Sequence, residues 1–341
     1  MNNAPNLIEV RRNTNTTRNV LFLGLVVALV GWYGFRFVDE TEAQGVFADS
    51  GAQKRGGDIQ VSFEEHTIVE PVQVTTTTFN SDIYSAHSFL VKDVATGKSL
   101  VSSNEYRERP IASITKLMSA LVLLDANIDL SGNAVAASGN VFDTFLIPGL
   151  QYSNDDLWNA ALVGSSNRSI LSLVDSLGIT REEFVNRMNE KARELGMSDT
   201  HFTEPTGLDD TDISSASDVL ILLKEALSKP NIYQALSRPE YDIATIENEH
   251  DKNIKNTNWL LLNWIPHTFS GLHPGKTGYI PASGYNFTTR IANEEGNEID
   301  IVILGAASHE QRFSEARDIA EWIFSNYDWQ SRTIRVPKPI Q

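Results

Sequence analysis

Blocks of alternating apolar and polar residues predict strands near both ends of one domain, with helices between them. Residues 89–91 and 99–101 are short β-like runs around a turn at Gly97, which predicts a hairpin with positive φ at that glycine. A second hairpin is predicted over 284–292 and 299–305. The two hairpins predict an antiparallel sheet.

The stretch between the hairpins has helical periodicity. Residues 114–124 are almost continuously apolar, which predicts a buried helix too short to span a membrane. Capping residues and apolar spacing predict further helices at 154–163, 169–177, 180–195, 217–227 and 315–327. The order of strands, helices, strands and helix predicts an α/β chain of the α+β type. An antiparallel sheet is then flanked by helices, with a helical subdomain inserted in the middle.

The N-terminal region has a different pattern. An apolar run from Val20 to Phe35 follows Arg11, Arg12 and Arg18, which predicts a transmembrane signal anchor at 19–38 with a cytoplasmic tail at 1–18. A cleaved signal peptide is the alternative, but no small-residue cleavage site follows the run directly. The remaining boundaries are predicted as a linker over 39–84, a globular domain over 85–327 and a C-terminal tail over 328–341.

Composition narrows the chemistry. The 341 residues carry a formal net charge of −16, which argues against nucleic acid as a partner. The absence of cysteine excludes disulfides, thiolate catalysis and zinc–thiolate sites. The seven histidines are scattered without a His-Glu-x-x-His arrangement, so we expect no metal site.

One short motif, Pro110-Ile-Ala-Ser-Ile-Thr-Lys116, offers a nucleophile with its base. Ser113 and Lys116 are three residues apart, and residues at this spacing lie on the same face of a helix. A serine hydroxyl beside a neutral amine can act as a nucleophile. The alternative is an ordinary helix start, with Ser113 as a cap and Lys116 in solvent.

Two further motifs are candidates for the same site. Ser165-Ser-Asn167 lies at a predicted tight connection between helices, and Ser138-Gly-Asn140 is its rival, although a plain turn explains the latter. Lys276-Thr-Gly278 lies on a predicted strand ahead of the second hairpin. Its alternative is a polar strand end with the glycine in a bulge.

In this order the three motifs resemble those of the serine acyl-transferases that include penicillin-binding proteins and class A β-lactamases. The segments 183–197, 201–209 and 278–286 are similar to the low-molecular-mass D-alanyl-D-alanine carboxypeptidases. The resemblance covers about residues 85–327 and implies a β-lactamase/transpeptidase-like fold with a penicillin-binding, carboxypeptidase catalytic domain there.

Two features of the sequence depart from the family pattern. Arg168-Ser169 stands where Asp-Ala is usual, and no additional C-terminal β domain is expected after the last helix.

The resemblance implies a role for each catalytic motif residue. Ser113 would attack the carbonyl of a D-Ala–D-Ala bond and Lys116 would take its proton. Burial and the nearby Lys276 would lower the pKa of Lys116. Ser165 would relay the proton towards the leaving group. No metal or organic cofactor is required.

The resemblance also implies the substrate contacts. Asn167 would hold the substrate backbone, and Lys276 with Thr277 would bind its terminal carboxylate. Gly278 would let the substrate strand approach, and the N–H groups of Ser113 and Tyr279 would form the oxyanion hole. The expected partners are peptidoglycan stem peptides ending in D-Ala-D-Ala, with β-lactams as inhibitors.

The sequence therefore predicts a serine-type D-Ala-D-Ala carboxypeptidase at the cell membrane, with its catalytic domain on the extracytoplasmic face. A D-Ala cross-link endopeptidase would use the same site, and a non-catalytic peptidoglycan-binding scaffold is a third possibility. A class A β-lactamase would need a Glu-x-x-Leu-Asn segment, which the chain lacks.

Overall fold

A computed structural model of the protein describes residues 63–139, 141–247 and 251–337. The strands are β1 Phe63–Gln73, β2 Ser88–Asp93, β3 Ser99–Ser103, β4 Arg109–Pro110, β5 Asn133–Val135, β6 Gln151–Ser153, β7 Ile213–Ser214, β8 Glu240–Ala244, β9 Asp251–Lys255, β10 Gly275–Ile280, β11 Gly284–Ala292, β12 Glu298–Ala306 and β13 Tyr327–Pro337. The α-helices are α1 Thr115–Asp125, α2 Asn154–Val163, α3 Asn167–Ser176, α4 Arg181–Glu194, α5 Ala216–Leu227, α6 Pro230–Leu236 and α7 Gln311–Asn326.

Both predicted hairpins belong to one five-stranded antiparallel sheet, in the order β10-β11-β12-β2-β3. Gly97 has a φ of 72° in the β2–β3 turn, as the sequence predicts. The central strands β12 and β2 come from opposite ends of the domain and pair with Ile301 opposite Val91. The predicted antiparallel sheet flanked by helices is confirmed.

The sheet separates two hydrophobic cores. Successive side chains of a strand point to opposite faces. In β2, Phe89 and Val91 share a buried cluster with Phe313 and Ile319 of α7, whereas Leu90 belongs to the cluster formed with α1 to α6. The inserted helical subdomain therefore covers one face, and the C-terminal helix covers the other.

The predicted helices are present, and side-chain caps explain where two of them, α4 and α2, begin. Thr180 Oγ1 accepts from the Glu183 N–H at 3.1 Å, and Ser153 Oγ accepts from the Asp156 N–H at 3.0 Å. Helix α7 begins at Gln311, four residues before the predicted start at 315. Helix α6 and the β8–β9 hairpin lack a prediction, because both are short and carry weak periodicity.

Two segments predicted as linker and tail contain regular structure. The sequence predicts a linker over 39–84 and a tail over 328–341, whereas β1 and β13 form an antiparallel ribbon in which Pro71 lies opposite Trp329. Trp329 Nε1 donates to Asp93 Oδ1 at 2.8 Å, which ties the ribbon to the sheet. The pairing joins strands more than 250 residues apart, so no local pattern indicates it.

The predicted transmembrane anchor at 19–38 lies outside the described residues. Within the part of the chain that the structure describes, no helix combines the length and apolar character needed to cross a bilayer. The anchor therefore stays a prediction from the sequence.

Candidate active site

The candidate nucleophile Ser113 lies in a 3-10 turn, Ala112–Ile114, that runs directly into α1. Ala112 has a φ of 50°, a strained left-handed conformation for a residue with a Cβ. The turn brings Ser113 Oγ to 2.7 Å from Lys116 Nζ. Lys116 is fully buried and no side chain caps α1. These contacts exclude the alternative of a capping serine beside a solvated lysine.

Three oxygen atoms surround the buried amine of Lys116. Nζ lies 2.7 Å from Ser113 Oγ, 2.6 Å from Asn167 Oδ1 and 2.6 Å from the carbonyl oxygen of Thr206. A neutral amine has two N–H donors, which suit the two carbonyl-type oxygens of Asn167 and Thr206. Its lone pair is then free to accept the hydroxyl proton of Ser113.

Burial makes the neutral form of Lys116 accessible. It lowers the pKa of the amine from 10.5 to about 7, because a buried ammonium loses its hydration. The carboxylates of Glu204, Asp143 and Asp212 act in the opposite direction, since negative charge favours the ammonium. Charged and neutral amine are both populated near pH 7, as a general base requires.

A second lysine closes the other side of the site. Lys276 of β10 is fully buried and donates to Ser165 Oγ at 2.7 Å, and Ser165 has a φ of 61° at the α2–α3 connection. Burial, then the charges of Lys116 and Arg312, lowers the pKa of Lys276 well below 10.5. The expected repulsion between the two lysines is thus present, and it acts on Lys276, whereas burial lowers the pKa of Lys116.

Strand β10 lies directly against the Ser113 turn. A Cβ added at Gly278 would be 2.5 Å from the carbonyl oxygen of Ile111 and 3.1 Å from the Ser113 nitrogen, so only glycine fits there. Thr277 Oγ1 donates to Thr257 Oγ1 at 2.7 Å. As the first strand of the sheet, β10 pairs on one side only among the described strands. A free strand edge can add an extended peptide as a further strand.

The structure therefore brings the three predicted motifs together through the Ser113–Lys116, Lys116–Asn167 and Ser165–Lys276 contacts. Tyr279 follows Gly278 and is 48% exposed, with its ring stacked on Tyr285 at 4.3 Å. Ser138 of the rival motif lies on an exposed loop, and residue 140 is not described.

Three contributors to the site escaped the sequence analysis. Thr206 acts through its carbonyl oxygen, Thr257 through a hydroxyl beside Thr277, and Arg312 through a donation to the Gly278 carbonyl at 3.2 Å. The segment 201–209 resembles the family, which was the available signal for Thr206. No sequence pattern indicated Thr257 or Arg312.

Comparison with known proteins agrees with this geometry. The family model described as D-alanyl-D-alanine carboxypeptidase matches residues 74–308. The chain is 32% identical to a D-alanyl-D-alanine endopeptidase of Pseudomonas aeruginosa, over 69% of this chain and 76% of that protein. It is 28% identical to the D-alanyl-D-alanine carboxypeptidase DacF of Bacillus subtilis, over 72% of this chain and 64% of that protein.

The fold has solved counterparts. A penicillin-binding protein of Listeria monocytogenes in its ampicillin-bound form superposes with a TM-score of 0.60 and 27% identity, over 71% of this chain and 98% of that chain. The predicted transpeptidase-like fold is confirmed. The motifs, the fold and the family match agree, and the chain belongs to the D-alanyl-D-alanine carboxypeptidase family of serine peptidases.

Proposed function

We propose that this chain hydrolyses a D-Ala–D-amino acid bond of peptidoglycan stem peptides through an acyl-enzyme on Ser113. The observation that carries this proposal is the 2.7 Å contact between Ser113 Oγ and a fully buried Lys116 whose pKa is lowered to about 7. A lysine held near neutrality beside a hydroxyl is a general base for nucleophilic attack.

Acylation moves one proton and exchanges one bond. Ser113 Oγ forms a bond to the carbonyl carbon of the penultimate D-Ala while Lys116 takes the hydroxyl proton. The C–N bond breaks, and the proton held by Lys116 passes through the hydroxyl of Ser165, which Lys276 orients at 2.7 Å, to the leaving amine. The N–H groups of Ser113 and Tyr279 stabilise the oxyanion. Water then hydrolyses the ester and regenerates Ser113.

Substrate recognition depends on the carboxylate of the leaving residue. Lys276 is buried without its hydration, so an incoming carboxylate restores a charged partner and raises its pKa. Thr277 adds a hydroxyl donor on the same strand. Asn167 Nδ2 donates one N–H to the Phe142 carbonyl at 2.8 Å, which leaves its second N–H for the substrate backbone.

Cleavage of D-Ala cross-links is the first candidate for specificity, and carboxypeptidase activity is the second. The endopeptidase relative has the higher identity, 32% against 28%, and this chain spans 76% of it against 64% of the carboxypeptidase. Both reactions present a carboxylate next to the scissile bond, so the same lysine and threonine serve either one.

The proposed location is the outer face of the cell membrane, held by the predicted anchor at 19–38. The arginines that precede the apolar run support this location, because positive charge favours the cytoplasmic side of a membrane anchor. Membrane fractionation of full-length protein, with protease access from outside, tests this location. Recovery of the intact protein in the cytosolic fraction would contradict it.

The specificity is tested by incubating the protein with a mixture of cross-linked muropeptide dimers and pentapeptide monomers, followed by liquid chromatography and mass spectrometry. We expect dimers to yield monomers. Loss of one alanine from pentapeptides alone would identify a carboxypeptidase instead. Neither product from folded protein that binds penicillin would contradict a peptidase function on these substrates.

A further inference from the structure

Arg168 is a buried cation in an unusual setting. It is 5% exposed and, among the described residues, forms no ion pair with a carboxylate. Its guanidinium donates to the carbonyl oxygens of Ala137 and Val141, the latter at 3.1 Å. A buried guanidinium needs such acceptors, and its planar fork can hold two carbonyls in one fixed geometry.

Arg168 also fixes the position of residues 141–146, which we call the 141–146 loop. Arg168 holds Val141 by its guanidinium and Asp143 by its backbone N–H, which donates to Asp143 Oδ2 at 3.1 Å. Ser166 Oγ donates to the same carboxylate oxygen. Both chain neighbours of Phe142 are therefore attached to the start of α3.

Phe142 connects the 141–146 loop to the site through its backbone carbonyl. Its side chain is 79% exposed, but its carbonyl oxygen accepts from Asn167 Nδ2 at 2.8 Å. With Nδ2 held there, Asn167 Oδ1 faces Lys116 Nζ at 2.6 Å. If the amide flipped, its NH₂ group would face the amine, and Asn167 would offer that amine no acceptor.

We propose that Arg168 is a positioning residue, which fixes the amide of Asn167 against Lys116 by holding both neighbours of Phe142. This inference rests on the proposed function, in which Lys116 is the base of acylation. It assigns a role to Arg168, which stands where the family pattern has the Asp of Asp-Ala.

The proposal predicts the direction of a pH effect. Asn167 Oδ1 accepts from the charged amine and so favours the ammonium, which means that losing this contact lowers the pKa of Lys116. The carboxylates that act on Lys116 are Asp143 of the loop and Glu204 and Asp212 of the segment after α4, and the charge of Lys116 in turn acts on Lys276 of β10. An Arg168→Lys change preserves charge at its own site and at all of these. It removes the planar guanidinium group, two nitrogens of which donate to the carbonyl oxygens of Ala137 and Val141.

The experiment measures the second-order rate constant of acylation by a fluorescent penicillin from pH 5 to 9. For Arg168→Lys we expect a decrease on the order of tenfold or more at pH 7. We also expect the midpoint of the acid limb to fall by about half a unit, the size of one ordinary hydrogen bond. In the Asn167→Ala background the same change should have little further effect, because the two residues act in one chain.

Arg290→Lys is the matched control. The guanidinium of Arg290 also donates two hydrogen bonds, from Nε and Nη2 to the Asp300 carboxylate at 2.7 and 2.9 Å. Arg290 lies on β11 and contacts no part of the 141–146 loop in these bonds. We expect it to lower thermal stability without moving the midpoint. If Arg168→Lys does not fold, Ser166→Ala loosens the same loop without a charge change and should shift the midpoint in the same direction.

Two results would overturn the inference: a folded Arg168→Lys protein with the wild-type midpoint, or a shift that persists undiminished in the Asn167→Ala background. Folded wild-type protein that is not acylated at all would instead overturn the proposed function.

Discussion

A Cβ added at Gly207 would lie 2.0 Å from the carbonyl oxygen of Ala112. Gly207 has a φ of 79°, so its backbone reaches this position in a conformation that suits glycine. The preceding residue, Thr206, supplies the carbonyl that accepts from Lys116 at 2.6 Å. The loop after α4 and the Ser113 turn therefore fit together as one unit, and their contact positions both the nucleophile and its base.

Replacing Gly207 by alanine should damage both stability and acylation. We expect a loss of about 3 kcal/mol in the free energy of unfolding, from steric overlap plus the unfavourable φ. Acylation should slow at least about tenfold, because the overlap displaces the Ser113 turn. Gly196→Ala is the control. Gly196 has a similar φ of 78° with no atom within 4 Å of the added Cβ, so only a loss of about 1 kcal/mol and normal acylation are expected.

Acylation should depend on the protonation of Lys116. Since the base must be neutral and its pKa is about 7, the rate constant should rise about tenfold per pH unit below 7 and level off above it. Lys116→Arg, which stays charged, should lose about 100-fold to 10,000-fold. Penicillin acylation followed across pH 5–9 measures both. A rate that continues to rise up to pH 9, without levelling off, would contradict a lowered pKa of Lys116.

The carboxylate role of Lys276 can be separated from its contact with Ser165. Lys276→Met should slow acylation by benzylpenicillin at least about 30-fold, because the carboxylate loses its buried partner. For the methyl ester of benzylpenicillin, which lacks that charge, the same variant should lose much less. An equal loss with acid and ester would indicate that Lys276 acts through Ser165 alone.

Folding stability should fall in mild acid because of His273. This ring is 2% exposed, and neither nitrogen has a hydrogen-bond partner among the described residues. Burial, with a smaller effect of His267, lowers its pKa to about 4 from the ordinary 6.5. Between those values the unfolded chain binds more protons than the folded one, so stability present above pH 6.5 is lost as pH falls towards 4.

We expect His273→Phe to remove on the order of 1–2 kcal/mol of the stability lost between pH 7 and 4.5, measured by urea unfolding at both values. His309, whose pKa is also lowered to about 4, contributes in the same direction, so part of the dependence should remain. His201→Asn, at an exposed position, is the control, and we expect it to lose as much stability between pH 7 and 4.5 as the wild type does. An unaltered dependence in the His273 variant would refute this assignment.

The parts of the fold that the sequence predicts are those with local signals. The helix spacing of Ser113 and Lys116, the Thr180 cap and the turn at Gly97 each depend on residues within one turn of one another. The ribbon formed by β1 and β13 depends on pairing between strands more than 250 residues apart, and its strands have weak apolar alternation. For this reason a linker and a tail were predicted in its place.

The site also has one part that the sequence predicts and another that it does not. Motif side chains could be listed from the sequence, but their partners are set by tertiary structure. Lys276 donates to Ser165, 111 positions away in the sequence, and Lys116 donates to the backbone carbonyl of Thr206, which has no sequence signature. Arg168 stood out as a departure from the family, yet its two carbonyl partners became visible only in the structure.

The central claim, that Ser113 is an acylated nucleophile, is tested most directly by mass spectrometry of penicillin-treated protein beside its Ser113→Ala variant. The account predicts a mass increase of one penicillin on the wild type, located by digestion to the peptide that contains Ser113, and none on the variant. An unmodified wild-type protein with a cooperative thermal transition, or an equal adduct on the variant, would contradict it.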